Sequence, residues 1–226
     1  LHNRCRRQRQ MCIRDRHGFS RSSIKALEDK GFVASKERVV TRDPLAEVKY
    51  VESKPLTLNP QQAEVLERVQ RSARAIEAGG KVKPILLYGV TGSGKTEVYL
   101  QAIQKAIDEG KGAIVLVPEI ALTPQTADRF KKRFAKIKDQ VAILHSNLSE
   151  GERHDEWRKV LEQKARIVIG ARSAIFSPVA NLGLIVVDEE HENSYKQDIS
   201  PRYQARDIAV VRGHLEKCPV LLGSAT

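Results

Sequence analysis

Residues 89–96 read Gly-Val-Thr-Gly-Ser-Gly-Lys-Thr, a complete G-x-x-x-x-G-K-[ST] loop. The loop stands between an aliphatic run at 85–88 and a segment with Leu100, Ile103 and Ile107 at helical spacing. A buried strand that turns through glycines straight into a helix leaves few architectures open. The strand belongs in a parallel sheet, and the helix must return across one of its faces. The residue types account for the loop. Glycines let the backbone curl so that successive N–H groups of Gly89, Val90, Thr91, Gly92, Ser93 and Gly94 face one anion. The helix that follows adds its positive end. Lys95 can reach the β and γ phosphates as a point charge, and Thr96 can place its hydroxyl on Mg²⁺. A chance match in a chain this long is on the order of 1%. The loop therefore implies a bound nucleoside triphosphate.

The rest of the chain repeats the pattern. Further aliphatic runs at 113–117, 141–144, 166–169, 184–187 and 220–222 alternate with helical segments, among them Leu66, Val69, Ala73 and Ile76, and later Ile208, Val211 and Leu215. Aromatic residues make up only 5% of the 226 residues against 41% hydrophobic, so the core must be aliphatic. Unbroken aliphatic strands alternating with helices predict an α/β fold with a parallel sheet covered by helices on both faces. This unit is expected over residues 54–226.

The segment before it differs. Ser20 is placed to cap a short helix carrying Ile24 and Leu27, Gly31 stands at its stop position, and 38–41 could pair with Phe32 and Val33 as a hairpin. Helix followed by hairpin suits part of a winged helix over 17–53, and an isolated structural helix reads equally well. Residues 42–58, with Pro44 and Pro55, read as a linker. Residues 1–16 carry six arginines against one aspartate, nearly half of the net charge of +11, and have no periodicity; they are read as a basic arm or an artefactual segment outside the fold. The positive balance favours polyanions such as nucleic acid or acidic membrane surfaces. Three cysteines (Cys5, Cys12 and Cys218) make no disulfide framework and suit a reducing compartment. The spacing of Cys5 and Cys12 with His2 and His17 fits no common zinc site. No apolar run approaches membrane-spanning length.

Leu184-Ile-Val-Val187 runs directly into Asp188-Glu189-Glu190-His191. Alone, such a cluster is a solvated loop. Downstream of a phosphate loop, a carboxylate at a strand tip can hold Mg²⁺, which is the role read for Asp188. Glu189, one residue on, can polarise an attacking water. Residues 193–207 interleave Tyr195, Lys196, Arg202, Tyr203 and Arg206. Rings can stack on unpaired bases and cations can track phosphates; equally, the tyrosines can pack on the following helix.

Asp188-Glu-Glu-His191 resembles the D-E-x-H box of superfamily 2 helicases, and the terminal Gly-Ser-Ala-Thr at 223–226 resembles their S-A-T motif. Residues 117–126, His145-Ser-Asn-Leu-Ser149 with Glu152, Arg153 and Trp157, and residues 167–176 are similar to the bacterial replication-restart helicases. The resemblance implies a RecA-like motor lobe using ATP and Mg²⁺, with Gln62 contacting adenine and Lys95, Thr96, Asp188 and Glu189 in the ATPase roles. It implies that His191, Ser224 and Thr226 couple nucleotide state to DNA. It places Pro118, Thr123, Gln125 and Arg172 along the DNA strand and makes 193–207 an aromatic-rich DNA-sensing loop, in which Pro201 stands near a position often held by tryptophan.

The resemblance further implies that this is one lobe of a cytoplasmic, nucleoid-associated helicase moving 3′ to 5′ on single-stranded and forked DNA. A second lobe and zinc-binding cysteines would lie beyond residue 226, and primosome proteins and single-stranded DNA-binding protein would be partners. A phosphate-loop kinase or transporter would need a second substrate site or an L-S-G-G-Q signature, and neither is present. A non-catalytic DNA-binding module remains the competing class.

Overall fold

The computed structural model describes residues 20–34, 51–81, 83–146 and 148–225. The strands are β1 (Ile85–Tyr88), β2 (Gly112–Leu116), β3 (Val141–Leu144), β4 (Ile167–Gly170), β5 (Leu182–Val187), β6 (Lys196–Gln197), β7 (Tyr203–Gln204) and β8 (Val220–Ser224). The helices are α1 (Arg21–Asp29), α2 (Pro60–Glu77), α3 (Lys95–Asp108), α4 (Pro124–Arg133), α5 (Glu150–Leu161) and α6 (Ala205–Leu215). Strands β6 and β7 form a small antiparallel hairpin. The other six make one all-parallel sheet in the order β1-β8-β5-β2-β4-β3. All six aliphatic runs become strands of this sheet.

Alternate residues of the central strands enter different cores, which is why their sequences are aliphatic without interruption. Ala113, Val115, Ile167, Ile169, Leu184 and Val186 join Val98, Ile103, Phe130 and Phe134 on one face. Ile114, Leu116, Val168, Ile185 and Val187 join Val160, Ile175, Tyr195, Ala205 and Ala209 on the other. The outermost strand β1 is the exception: Ile85 and Leu87 are buried, whereas Leu86 and Tyr88 remain exposed. At the opposite edge, β3 is protected by a buried carboxylate. Glu156 on α5 accepts from Ile143 N at 2.9 Å and pairs with Lys159 at 2.5 Å.

One helix departs from its sequence reading and another follows it. In α6 the spacing 208, 211, 215 suggests the buried stripe, yet Val211 and Leu215 face solvent. Ala205, Ala209 and Gly213 face the sheet instead, and a Cβ at Gly213 would collide with the Val220 side chain. Small residues let this helix approach closely. In α1, Ser20 caps as expected, accepting from Ser23 N at 3.1 Å, and Gly31 closes the helix at φ +73. The hairpin expected at 38–41 lies outside the described residues, as do residues 1–19.

The described end of the presumed linker does not hang free. Residues 51–58 lie as a strap across α3 and α4. Ser53 N donates to Lys132 O at 3.0 Å, Leu56 N donates to Glu97 Oε1 at 3.1 Å, and Gln101 Nε2 donates to Leu56 O at 2.8 Å. The anchor is a bidentate pair between Glu97 on α3 and Arg133 on α4, at 2.9 and 2.6 Å, with both side chains nearly buried. Burial opposes ionisation of Glu97, but the hydrogen bonds from Arg133, Gln101 and Leu56 N outweigh it and hold its carboxyl below the ordinary 4.5. Arg133→Ala strands this carboxylate and should cost about 3 kcal/mol. Because the folded value is depressed, the pair stabilises fully above pH 4.5 and its contribution is lost as pH falls through the folded value. Thermal melts should therefore show a gap between parent and variant that is full at neutral pH and closes in acid. A gap that persists unchanged in acid would assign the loss to packing alone.

Candidate nucleotide and metal site

Strands β1, β8 and β5 are neighbours and run in the same direction, so the loops at their carboxyl ends meet at one edge of the sheet. Backbone bonds join them: Gly89 N donates to Ser224 O at 3.0 Å, and Glu190 N donates to Gly223 O at 2.8 Å. They border a cleft of about 740 Å³ lined by residues 90–97, Asp188 and Glu189, with Lys54, Leu56 and Arg129 on the strap side. A second cleft of about 770 Å³ opens at the amino-terminal ends of β1 and β8, between the ends of α2 and α6, remote from these loops.

The loop at 89–96 has the backbone that phosphate binding requires. Gly92 and Gly94 adopt φ +83 and +84. That conformation favours glycine at 94, and a Cβ there would also stand 2.5 Å from Gln62 Nε2 and push its amide aside. Lys95 is nearly buried, donates to Gly89 O, and lies 3.4 Å from Glu189 Oε1. This ammonium is held at the cradle by a carbonyl and a carboxylate that an incoming phosphate can replace. Thr96 begins α3 beside it and lines the same cleft. Gln62 is occupied within the protein: its Oε1 accepts from Asn59 N at 2.9 Å as the α2 capping box, and its Nε2 donates to Ser93 O at 2.8 Å. It ties α2 to the loop.

Asp188 directly follows β5, and its Oδ1 accepts from the Tyr99 hydroxyl at 3.0 Å. Burial, reinforced by the charge of Glu189, outweighs the help of Tyr99 and Lys95 and holds its carboxyl above the usual range. A divalent cation would reverse that balance by favouring the ionised form. Donor chemistry and placement thus fit Mg²⁺ between Thr96 and Asp188. Glu189 takes φ +46, an uncommon conformation for a residue with a side chain and one that costs about 1–2 kcal/mol. This turn brings its Oε2 to Ala225 N at 2.9 Å and its Oε1 towards Lys95. His191 Nδ1 lies 3.1 Å from Ser224 Oγ, which joins the acidic loop to the end of β8.

The residues assigned to DNA by resemblance divide. Thr123 and Gln125 are exposed at the start of α4, where Thr123 is the N-cap, whereas Pro118 is buried. Arg172 donates to Lys196 O at 2.8 Å and so braces the hairpin. Lys196 and Arg202 are exposed on that hairpin, and Arg206 pairs with Glu190 at 3.0 Å. Thr226 lies outside the described residues. Tyr195 corrects the expectation of a ring available to bases. It is 1% exposed, packs in the core, and donates from its hydroxyl to Asp188 O at 2.6 Å. The 3₁₀ turn Asn193–Tyr195 rotates it inward. Tyr203 is half-buried against Phe176, edge to face with ring centroids 5.1 Å apart. The loop's exposed apolar group is Ile199 at the hairpin tip.

Sequence reasoning missed Tyr99, although its position four residues after Lys95 puts it on the same face of α3 and could have revealed it. It also missed Lys54 and Arg129, whose approach to the cleft has no local signal.

A phosphate loop, an acidic strand tip and a serine-bearing strand end joined on one parallel sheet define a helicase-type nucleoside triphosphatase lobe. Residues 59–226 match the DEAD/DEAH box helicase family, and the chain belongs to it. That family works with ATP and Mg²⁺ in general. The chain is 50% identical over 207 residues to the replication restart protein PriA of Bacillus subtilis, an alignment covering 92% of this chain and 25% of that one. It thus spans about a quarter of the length of the curated relatives it matches. The fold is similar to RecG bound to a three-way DNA junction (TM-score 0.55, 24% identity, 76% of this chain and 21% of that one). It is also similar to the UvsW helicase from bacteriophage T4 (TM-score 0.52, 17% identity, 91% and 69%). Among the described residues no helix is long and apolar enough to cross a membrane.

Proposed function

We propose that this chain is the ATP-binding lobe of a DNA helicase that moves 3′ to 5′ on single-stranded DNA and restarts replication at stalled or abandoned forks. One observation carries the reading: Lys95, Asp188 and Glu189 converge on one cleft from β1 and β5, the two strands that flank β8 in the sheet. The identity to proteins called replication restart protein supports the biological setting.

In this reading the amides of 89–94 and Lys95 hold the β and γ phosphates, and Thr96 and Asp188 hold the metal. Magnesium, when bound, neutralises charge developing between the phosphates. Glu189 orients water and accepts its proton. His191 and Ser224 transmit movement between the acidic loop and the end of β8. The exposed residues Thr123, Gln125, Lys196 and Arg202 face the nucleic acid, with Ile199 offering an apolar tip and Arg172 bracing the hairpin. Residues 17–53 belong to a winged-helix DNA-binding segment. Zinc, primosome proteins and single-stranded DNA-binding protein engage the longer protein in the cytoplasm, beside the nucleoid.

A fluorescent ATP analogue should bind this chain in a Mg²⁺-dependent manner, and Lys95→Ala should weaken binding at least about tenfold, the loss of a charge-assisted contact. Hydrolysis by the lobe alone should be slow, because an arginine finger from a second lobe is worth about 10³–10⁵ in rate. Robust DNA-stimulated turnover by this chain alone, or binding indifferent to Lys95, would overturn the reading.

A further inference from the structure

Tyr99 sits one turn beyond Lys95 on α3, with its ring 1% exposed. Packing alone does not select it, because phenylalanine would fill the same space, and a buried hydroxyl needs a partner. That partner is Asp188 Oδ1, at 3.0 Å. A phenol is protonated at neutral pH and an ionised carboxylate can only accept, so the hydroxyl is the donor in this bond.

Gly223, near the end of β8, completes the arrangement. A Cβ there would overlap the Tyr99 hydroxyl and stand 3.3 Å from Asp188 Oδ1. Its φ is not in the left-handed region, so the backbone does not demand glycine at this position. The space is needed by the tyrosine. Three of the sheet's neighbouring elements are thus shaped around one hydrogen bond: α3 supplies the donor, β5 the acceptor, and β8 the clearance.

We propose that Tyr99 is a positioning residue for the metal: its hydroxyl pins one oxygen of Asp188 and so fixes the carboxylate in the orientation that receives Mg²⁺ together with the triphosphate. This rests on the nucleotide reading above and adds to it a residue outside both motifs. An outer donor of this kind spares the ligand the entropy of finding its orientation, and its removal costs metal affinity without removing a ligand. Gly223 acts through the same bond.

The test titrates MgCl₂ against this chain and a fluorescent ATP analogue, and repeats the binding in EDTA. Tyr99→Phe should raise the Mg²⁺ concentration for half-maximal enhancement about tenfold, while affinity in EDTA stays near the parent's and the melting temperature falls by only a few degrees (about 2–4 °C), the loss of one hydrogen bond. Gly223→Ala, which keeps the tyrosine but crowds its hydroxyl, should shift Mg²⁺ dependence in the same direction. Asp188→Asn marks the full loss. A parent-like Mg²⁺ response in Tyr99→Phe overturns the inference while leaving the nucleotide reading intact. Equal weakening with and without Mg²⁺ also overturns it, since that marks a purely structural residue. A parent chain with no Mg²⁺ response would sink the nucleotide reading and this inference together.

Discussion

Glu189→Gln in the helicase that carries this lobe should bind ATP as well as the parent does and lose about 10²–10⁴ of its hydrolysis rate. The geometry makes the substitution clean. Glutamine has nearly the same volume, and its side-chain oxygen can still accept from Ala225 N, as Glu189 Oε2 does at 2.9 Å. The φ +46 turn that aims the side chain is a backbone property and survives. What disappears is a group able to take a proton from water, together with the negative charge 3.4 Å from Lys95. Without that charge the ammonium is freer to meet phosphate, so nucleotide affinity should hold or rise slightly. Steady-state turnover and equilibrium binding, measured on the same preparation, separate the two effects. Parent-like turnover would remove Glu189 as the base and leave water activation to another group.

Tyr195→Ala should lower the stability of this chain by about 3–5 kcal/mol, as expected for deleting a buried aromatic ring. Tyr195→Phe should cost only about 1 kcal/mol, one hydrogen bond. Tyr203→Ala should also cost about 1 kcal/mol, since its half-exposed ring mainly loses an edge contact with Phe176. Denaturant unfolding of the three variants would read these values directly. If the tyrosines of this loop faced nucleic acid alike, all three losses would be small and similar. The burial of Tyr195 also changes what a DNA-coupling experiment can mean. Its hydroxyl holds the carbonyl of Asp188, so a double alanine substitution at 195 and 203 would disturb the metal site as well as the loop. Substitutions at the exposed Lys196, Ile199 and Arg202 address nucleic-acid contact without that confusion.

The loop illustrates where local reading stops. Alternating rings and cations could serve a surface stack or a packed turn, and nothing in their spacing separates the two. The 3₁₀ turn at 193–195 decides it, by sending one ring beneath Asp188 and leaving Tyr203 at the rim. Helix α6 shows the same limit. Its large residues lie at a convincing helical interval, yet the sheet approaches through Ala205, Ala209 and Gly213, because close packing against Val220 leaves no room for more. Gln62 shows a gentler form. Its identity follows from a motif, but its amide is engaged by Asn59 and Ser93, which makes it a tie between α2 and the phosphate loop.

The chemistry of the phosphate loop and the strand–helix alternation were determined by the sequence alone, because both follow from short-range properties. Glycine permits φ near +84 at Gly94, and strands buried on two faces need aliphatic residues at every position. Tertiary structure decided which strands are neighbours. Six aliphatic strands are interchangeable to local inspection, so nothing in residues 85–88, 182–187 or 220–224 announces that they lie side by side. That order brings Lys95, Asp188 and Gly223 to one point and gives Tyr99 a carboxylate to hold. Adjacency is settled by the packing of the whole sheet, which no window along the chain contains.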